Sequence, residues 1–265
     1  MAAMTFETVL FAIENGAARL TLNRPEKLNS FNVQMHLDIR HALDEVERNE
    51  DVRVLVISGA GRGFCAGQDL SDRVFDPNQK PDLGASIENY YAPLVRRLRA
   101  LPIPVVAAVN GVAAGAGANL ALACDLVIAA KSAAFIESFS KLGLIPDTGG
   151  TYFLPRLAGT ARAMGMALLG EKVPAEQAEA WGLIWRAVDD EQFASTVDAI
   201  ASQLSSAPTK GLAHIKRAIY ASAHHSLDEQ LNMERDLMRE LGESHDFREG
   251  VAAFLEKRAP RFIGR

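Results

Sequence analysis

Cysteine is scarce in this chain: Cys65 and Cys124 are the only two in 265 residues, in apolar surroundings and with neither disulfide nor metal-ligand spacing. A reducing, cytoplasmic compartment is the expectation. Basic charge is also in deficit. Lys and Arg number 28 against 33 Asp and Glu, and a net charge of -5 repels a phosphate backbone, so no nucleic-acid partner is expected. A local basic patch can still hold one phosphorylated group. Residues 1–16 lack a basic stretch followed by a long apolar one, so no signal peptide is expected. One run, residues 105–130, is apolar enough to suggest a membrane span. Asn110, Asn119 and Asp125 interrupt it and Gly111, Gly115 and Gly117 divide it, so it reads as a buried strand, a turn, a short helix and a second strand, and no membrane partner is expected.

Several chemical signatures are missing as well. No GxxxxGK[ST] occurs, which excludes a P-loop. The six histidines (His36, His41, His214, His224, His225 and His245) form no HExxH and no triad pattern, so they read as surface or satisfied residues and no metal centre is expected. What is present is an ordinary globular composition. Apolar residues make up 48% and charged residues 23%, with 20 Gly and 11 Pro, which excludes disordered, collagen-like and low-complexity chains and leaves one large or two small domains.

Along the chain, residues 5–13 and 17–22 read as strands joined at Asn15-Gly16, a hairpin signal because both residues tolerate positive φ. Residues 32–48 carry Met35, Ile39, Leu43 and Val46 at helical spacing, with Asn32 as N-cap. Residues 52–57 form a continuous apolar run, the mark of a strand covered on both faces. A glycine-rich loop, residues 59–67, and a polar stretch, residues 77–81, precede a helix over residues 87–101. Strands over residues 105–109 and 126–129 follow. From Thr160 the pattern is nearly all helical: residues 161–169, 175–180, 193–204, 210–221, 227–241 and 247–257. The layout is an α/β core of about 150 residues and a helical C-terminal third.

Two glycine-rich loops stand out. Gly61-Arg62-Gly63-Phe64-Cys65-Ala66 fits GxGxxA, but Gly67-Gln68-Asp69 follows where a dinucleotide site needs an apolar helix, and in Gly115-Ala116-Gly117-Ala118-Asn119-Leu120 leucine replaces the third glycine. Each loop follows a buried strand and is built of residues too small to screen its main chain. Such loops either permit tight packing or, side by side, aim two amides at one developing oxyanion.

Four tracts carry a resemblance: Asn23-Arg24-Pro25, Gly63-Phe64-Cys65-Ala66-Gly67-Gln68-Asp69-Leu70, Asn110-Gly111-Val112-Ala113-Ala114-Gly115-Ala116-Gly117, and Leu142-Gly143-Leu144-Ile145-Pro146-Asp147-Thr148-Gly149-Gly150-Thr151. Together they resemble the enoyl-CoA hydratase/isomerase (crotonase) superfamily, from about Phe6 to Glu256-Lys257-Arg258. The resemblance implies an α/β spiral of β-β-α turns over residues 1–200, holding an acyl-CoA site, and a helical oligomerisation region over residues 201–265, in a homotrimer or dimer of trimers. It implies that a coenzyme A thioester binds with its oxygen between the amides of Gln68 and Ala116, coenzyme A being part of the substrate and no cofactor being needed. By the same resemblance Arg24, Lys27 and Leu28 lie near the nucleotide, Ala66, Asp69, Leu70, Gly115 and Asn119 bind substrate, and Phe254 and Lys257 reach a neighbouring subunit's coenzyme. A solvated charged face is an equal reading of Lys27.

Hydratases of the superfamily use two glutamates, and the matching positions here are Asn119 and Phe139, so both acids for adding water are missing. Asp147 matches the single carboxylate of the isomerases, which suffices to move a proton beside an enolate; Pro-Asp-Thr-Gly-Gly is also good turn chemistry. Glu137 is a nearby acid with a possible helper role if residues 134–139 are extended, and Cys65 reads as a small buried residue, with a thiolate the alternative. Specificity for an aromatic acyl group is expected from the wall between Leu70 and Tyr91 and from the helix after Asp147. Within the superfamily the tracts, with Asp76-Pro77 and Pro81-Asp82-Leu83-Gly84, resemble the branch that isomerises the ring epoxide of phenylacetyl-CoA in aerobic phenylacetate degradation. Shifting a double bond in a linear enoyl-CoA, hydration or hydrolysis on the same scaffold, and a non-catalytic acyl-CoA- or RNA-binding role are the competing readings.

Overall fold

Asn15 and Gly16 take φ of +50° and +78°, a tight turn that joins β1 (Val9–Glu14) antiparallel to β2 (Ala17–Leu22). A computed structural model describes residues 6–72 and 82–265, so Thr5, the polar stretch 77–81 and the Asp76-Pro77 tract lie outside the described residues. After β2, α1 (Val33–Arg48) starts where Asn32 accepts the Met35 N–H at 2.8 Å, and its spaced apolar residues are buried.

Three strand pairs then repeat one move. β3 (Val54–Gly59) passes to β4 (Gly63–Cys65), β5 (Val105–Val109) to β6 (Val112–Ala114), and β7 (Leu126–Ala130) to β8 (Ala134–Ile136). The first member of each pair joins one sheet and the second joins another. A helix follows each pair: α2 (Leu83–Ser86), a π-turn (Ile87–Tyr91) and α3 (Ala92–Ala100) after the first, α4 (Ala116–Ala123) after the second, and a 3-10 turn (Ser138–Leu142) with α5 (Gly150–Ala158) after the third. The rest comprises α6 (Thr160–Leu169), β9 (Lys172–Pro174), α7 (Ala175–Ala180), β10 (Arg186–Val188), α8 (Asp190–Ser206), α9 (Thr209–Ser222), α10 (Leu227–Gly242) and α11 (His245–Glu256). The sheet orders are β1-β2-β3-β5-β7-β10 and β4-β6-β8-β9, parallel except at β1/β2 and β8/β9. This is the β-β-α spiral.

The apolar run of β3 is covered on both faces. Leu55 and Ile57 enter the main core, whereas Val54 and Val56 join Val106, Ala108 and Ile128 beneath Val197 and Ala201 of α8. Helix α8 therefore runs unbroken through residue 200 and packs on the sheet as a whole. Other expectations shift. The strand placed at residues 52–57 is Val54–Gly59, because the Val52 N–H closes a turn on the Asn49 carbonyl. The strand placed at residues 5–13 starts at Val9. β4 and β6 are too short to read within glycine loops, β9 and β10 interrupt a stretch read as helical, and α5 begins at a glycine pair and contains Pro155. No helix among the described residues is long and apolar enough to cross a membrane.

A buried polar cluster fastens α9 to the spiral. Lys216 Nζ donates to Asp125 Oδ2 at 2.9 Å and to the carbonyls of Leu98 and Ile103 at 2.9 and 3.3 Å. Asp125 also accepts from the Val105 N–H at 2.7 Å and from the Tyr220 hydroxyl, on whose ring the Arg99 guanidinium lies at 3.0 Å. Asp125→Ala leaves the Lys216 charge buried without its counter-ion. The expected loss of stability in urea unfolding is about 3–5 kcal/mol, and a loss below about 1 kcal/mol would contradict this role for the cluster.

Candidate active site

The two glycine loops meet because β4 and β6 are neighbours in the second sheet. After β4 the chain pairs with the segment before α1: Ala66 N–H donates to the Leu28 carbonyl at 2.9 Å, Phe31 N–H to Gly67 at 2.7 Å, and Asp69 N–H to Phe31 at 2.8 Å. The alternation turns the Gln68 N–H the other way. After β6, Gly115 takes φ +52° as N-cap of α4, so Ala116 holds the first helical amide, one of those a helix leaves unbonded. Neither amide has a backbone partner among the described residues.

Glycine is required at this junction. A Cβ on Gly117 would stand 2.2 Å from the Cys65 carbonyl oxygen, and one on Gly67 2.9 Å from that of Ala114 and 3.5 Å from the Ala116 nitrogen. Gln68 and Ala116 both line one cavity, and α4 begins at Ala116 with the positive end of its dipole on that side.

The Gln68 side chain is anchored as well. Its Nε2 donates to the carbonyls of Phe31 and Asp69 at 3.1 and 3.3 Å, and its Oε1 accepts from the Tyr91 hydroxyl at 2.7 Å. Tyr91, at the end of the π-turn, is buried behind Gln68 and supports the loop; of the wall expected between Leu70 and Tyr91, Leu70, Leu83 and Ile87 line the cavity, whereas no residue of α5 does. Phe31 and Tyr90 stack on His36, centroids 4.8 and 5.1 Å away, and Tyr91 meets it edge-on at 4.6 Å. His36 is buried with no hydrogen bond at either ring nitrogen, a correction to the expectation of surface or satisfied histidines. Burial first, and the charge of Arg40 second, push its pKa down to about 4.

Asp147, which also lines the cavity, opens the turn that leads into α5. Its carbonyl accepts from Asn119 Nδ2 at 2.9 Å and from the Gly150 N–H at 2.8 Å, and its Oδ1 accepts from Thr148 Oγ1 at 2.8 Å. Thr148, a β-branched residue, sits at φ +52°, strain that costs on the order of 1–3 kcal/mol. Gly150 lies on the Asn119 amide so closely that a Cβ would come within 2.4 Å of Nδ2. Glu137 is fully buried, and its Oε2 accepts from Asn119 Nδ2 at 3.3 Å. β8 ends at Ile136 and Phe139 belongs to the 3-10 turn, so residues 134–139 are not one extended run.

The cavity, about 250 Å³, is lined by Ala66, Gln68, Leu70, Gly115, Ala116 and Asp147 from the sequence-derived set. Phe139, Leu83, Ile87 and Leu142 add apolar side chains to the lining, and the rim at Leu70, Leu142, Leu144 and Ile145 is exposed. Asn119 lies beneath the cavity and holds Asp147. Arg24 pairs with Asp69 at 2.9 Å and donates to the Ser30 carbonyl at 2.7 Å, with 14% and 6% of the two side chains exposed, so this pair braces the Gln68 loop. Burial opposes ionisation of Asp69, yet hydrogen bonds from Ser71 and Arg24 hold its carboxyl below the usual range. Lys27 reaches Ser71 Oγ at 3.3 Å, and Leu28, at φ +48°, gives its carbonyl to Ala66. Phe254, 83% exposed, and Lys257, which caps α11, stand apart from the cavity, and Phe254 lines a second, apolar groove of about 440 Å³ with Met238, Leu241, Phe247 and Phe262. Burial pushes the Cys65 thiol up to about 12, which removes the thiolate alternative.

Residues 12–265 match the enoyl-CoA hydratase/isomerase family. The chain is 58% identical over 260 residues to the 1,2-epoxyphenylacetyl-CoA isomerase of Escherichia coli (strain K12), covering 98% of this chain and 99% of that one. It is 48% identical over 262 residues to a protein of Rhodobacter capsulatus named "Probable enoyl-CoA hydratase", covering 99% and 100%. The enoyl-CoA hydratase of Bacillus anthracis superimposes with a TM-score of 0.90 at 30% identity, over 98% of this chain and 100% of that one. The chain belongs to the enoyl-CoA hydratase/isomerase family, with its crotonase-like fold, and it is an enzyme of the acyl-CoA isomerase and hydratase class.

His36 gives the site an acid limit. Its pKa is 6.5 unfolded and about 4 folded, so the unfolded chain binds the extra proton; stability is full above 6.5 and is lost as pH falls toward 4. Urea unfolding should show a loss of about 3 kcal/mol across that window, and His36→Phe should remove that slope. An unchanged slope in the variant would assign it to other groups.

Proposed function

We propose that this enzyme isomerises acyl-CoA thioesters, and that its substrate is 2-(1,2-epoxy-1,2-dihydrophenyl)acetyl-CoA, converted to the oxepin-CoA in aerobic phenylacetate catabolism. The observation that carries the reading is the acid inventory of the cavity. Asp147 lines it together with Gln68 and Ala116, whereas the two positions at which hydratases of the superfamily hold glutamates are a buried Asn119 and Phe139. The 58% identity to the E. coli isomerase supports the ring substrate.

In this mechanism the thioester oxygen accepts from the N–H groups of Gln68 and Ala116. The Asp147 carboxylate removes a proton from the carbon beside the thioester, and the electron pair moves into the enolate that the two amides stabilise. In the ring substrate the C–C bond shared by the epoxide and the six-membered ring breaks while both C–O bonds are kept, giving the seven-membered ring, and Asp147, now protonated, returns the proton at a conjugated carbon of that ring or, in a linear substrate, of the chain. Substrate and product have the same atoms, so neither cofactor nor water is consumed. The apolar lining accepts an aromatic acyl group, and a cis-3-enoyl chain undergoes the same proton shift to the 2-enoyl isomer.

The enzyme acts as a homotrimer or dimer of trimers in the cytoplasm. Support for the assembly lies on α9 to α11, where Ile219, Leu227, Met238, Phe254 and Leu255 are 62–83% exposed, an apolar face suited to a second copy of the chain. In that assembly Phe254 and Lys257 approach a neighbour's coenzyme, and Arg24, Lys27 and Leu28 border the nucleotide.

Product analysis by mass and absorbance in deuterated water tests the chemistry. Both the ring epoxide and a cis-3-enoyl-CoA should yield isomers with no hydrate, and Asp147→Asn should lower kcat by about 10²–10⁴-fold with the fold intact. A hydrated product, or full turnover by the variant, would overturn the assignment. Light scattering in solution should return three or six times the 28.7 kDa chain mass; a monomer would remove the shared coenzyme site.

A further inference from the structure

Glu137 and Asn119 are both fully buried, and each has one orphan oxygen. Glu137 Oε1 and Asn119 Oδ1 lack any donor, although Asn119 Nδ2 already donates to Glu137 Oε2 at 3.3 Å. Turning the Asn119 amide over does not help. Nδ2 also donates to the Asp147 carbonyl at 2.9 Å, so reversal would set oxygen against oxygen there. Two orphan acceptors on groups that already share one hydrogen bond are what an ionised carboxylate facing a carboxamide leaves behind. A single proton on Oε1 resolves both, with the acid O–H donating to Oδ1 and Nδ2–H donating to Oε2 in a closed acid–amide pair.

We propose that Glu137 is a protonated positioning residue: as a neutral acid it closes a pair with Asn119 that pins the Asp147 main chain, and it leaves Asp147 as the sole negative charge at the reacting carbon. This rests on the isomerase reading, in which Asp147 moves the proton. The surroundings agree. From α4 the facing group is the neutral Asn119, and from the turn before α5 it is Asp147, whose charge disfavours a second one. Lys141, on the 3-10 turn, is exposed, and its chain runs past Gly170 beside the Glu137 carbonyl rather than its carboxyl. Burial above all, opposed by the Asn119 hydrogen bond and reinforced by Asp147, raises the Glu137 pKa to about 8.

The bond from Asn119 to the Asp147 carbonyl explains why this pairing matters. Asp147 precedes a residue in the left-handed region, so its peptide would relax if that acceptor lost one of its two donors and kept only the Gly150 N–H. Ionising Glu137 removes the O–H from the pair and places a like charge across Asn119 from Asp147. The prediction is an alkaline limb in turnover that belongs to a residue that never touches substrate.

Native enzyme, Glu137→Gln and Glu137→Leu separate the outcomes. Glutamine presents an N–H where the acid presents its O–H. It should keep kcat within about threefold at neutral pH and stay flat where the native enzyme falls with a midpoint near 8; leucine should lose about tenfold or more in kcat with KM little changed. Melting without substrate provides the readout that does not depend on turnover. Glu137 has a pKa of 4.5 unfolded and about 8 folded, so the folded state holds the extra proton and native stability declines as pH rises through that window. The melting temperature of Glu137→Gln should gain on the native one by about 4 °C or more across it, then run parallel. A melting difference that does not change with pH means Glu137 is ionised in the fold, and the proposal fails. Glutamine as inactive as Asp147→Asn would make Glu137 a proton carrier, which also overturns it. Absence of isomerisation in all three proteins with the melting difference intact would sink the isomerase reading and leave the protonated Glu137 standing.

Discussion

A Cβ atom at Gly117 would lie 2.2 Å from the Cys65 carbonyl oxygen, and one at Gly67 would lie 2.9 Å from that of Ala114. The loops after β4 and β6 therefore touch main chain to main chain, and Gln68 and Ala116 line a common cavity. The spiral exists in service of that contact. β3 and β5 pair in the first sheet, so their continuations β4 and β6 pair in the second, and two loops distant in sequence leave the same edge in the same direction. Donors fixed in this way need no reorganisation when charge appears between them.

Around the contact, the protein keeps buried titratable groups neutral, and it does so in opposite directions. His36, behind Tyr91 and Gln68, is pushed down to about 4, while Glu137, behind Asn119, is pushed up to about 8. Both shifts have burial as their main cause. The paired charges are used elsewhere: Arg24 with Asp69 braces the Gln68 loop, and Lys216 with Asp125 ties α9 to the spiral. Both carry additional hydrogen bonds, the condition under which a buried ion pair repays its desolvation.

Much of this was legible in the sequence where a local rule sufficed. Asn15-Gly16 dictates its hairpin through positive φ, Asn32 caps α1, and the apolar runs at β5 and β7 mark strands covered on both faces. Residues whose role depends on distant partners were not legible in that way. Three-residue strands such as β4 and β6 have too few side chains to show a period, and β10 is defined by pairing with β7 from some sixty positions earlier. Tyr91 reads as one more apolar position on a helix, and only the π-turn and its 2.7 Å bond show it holding Gln68. Asn119 was placed by resemblance as a lost acid; the bond that makes it the holder of Asp147 spans 28 residues and leaves no local mark. Glu137 reads in the sequence only as a candidate helper, because burial, the property that decides its charge, is a product of the fold.

The proposed oxyanion hole is built from peptide groups, and this alters what genetic variation can reveal about it. Every amino acid except proline supplies the same N–H at positions 68 and 116, so exchanging those side chains leaves the peptide donors themselves, and at position 68 costs only the anchoring bonds to Phe31, Asp69 and Tyr91. Selection on the chemistry is instead displaced onto neighbours that donate nothing, Gly67 and Gly117, where a single methyl group separates the loops. In a catalogue of tolerated variants, the fingerprint of this reaction would fall on the spacers and pass over the residues that touch the charge.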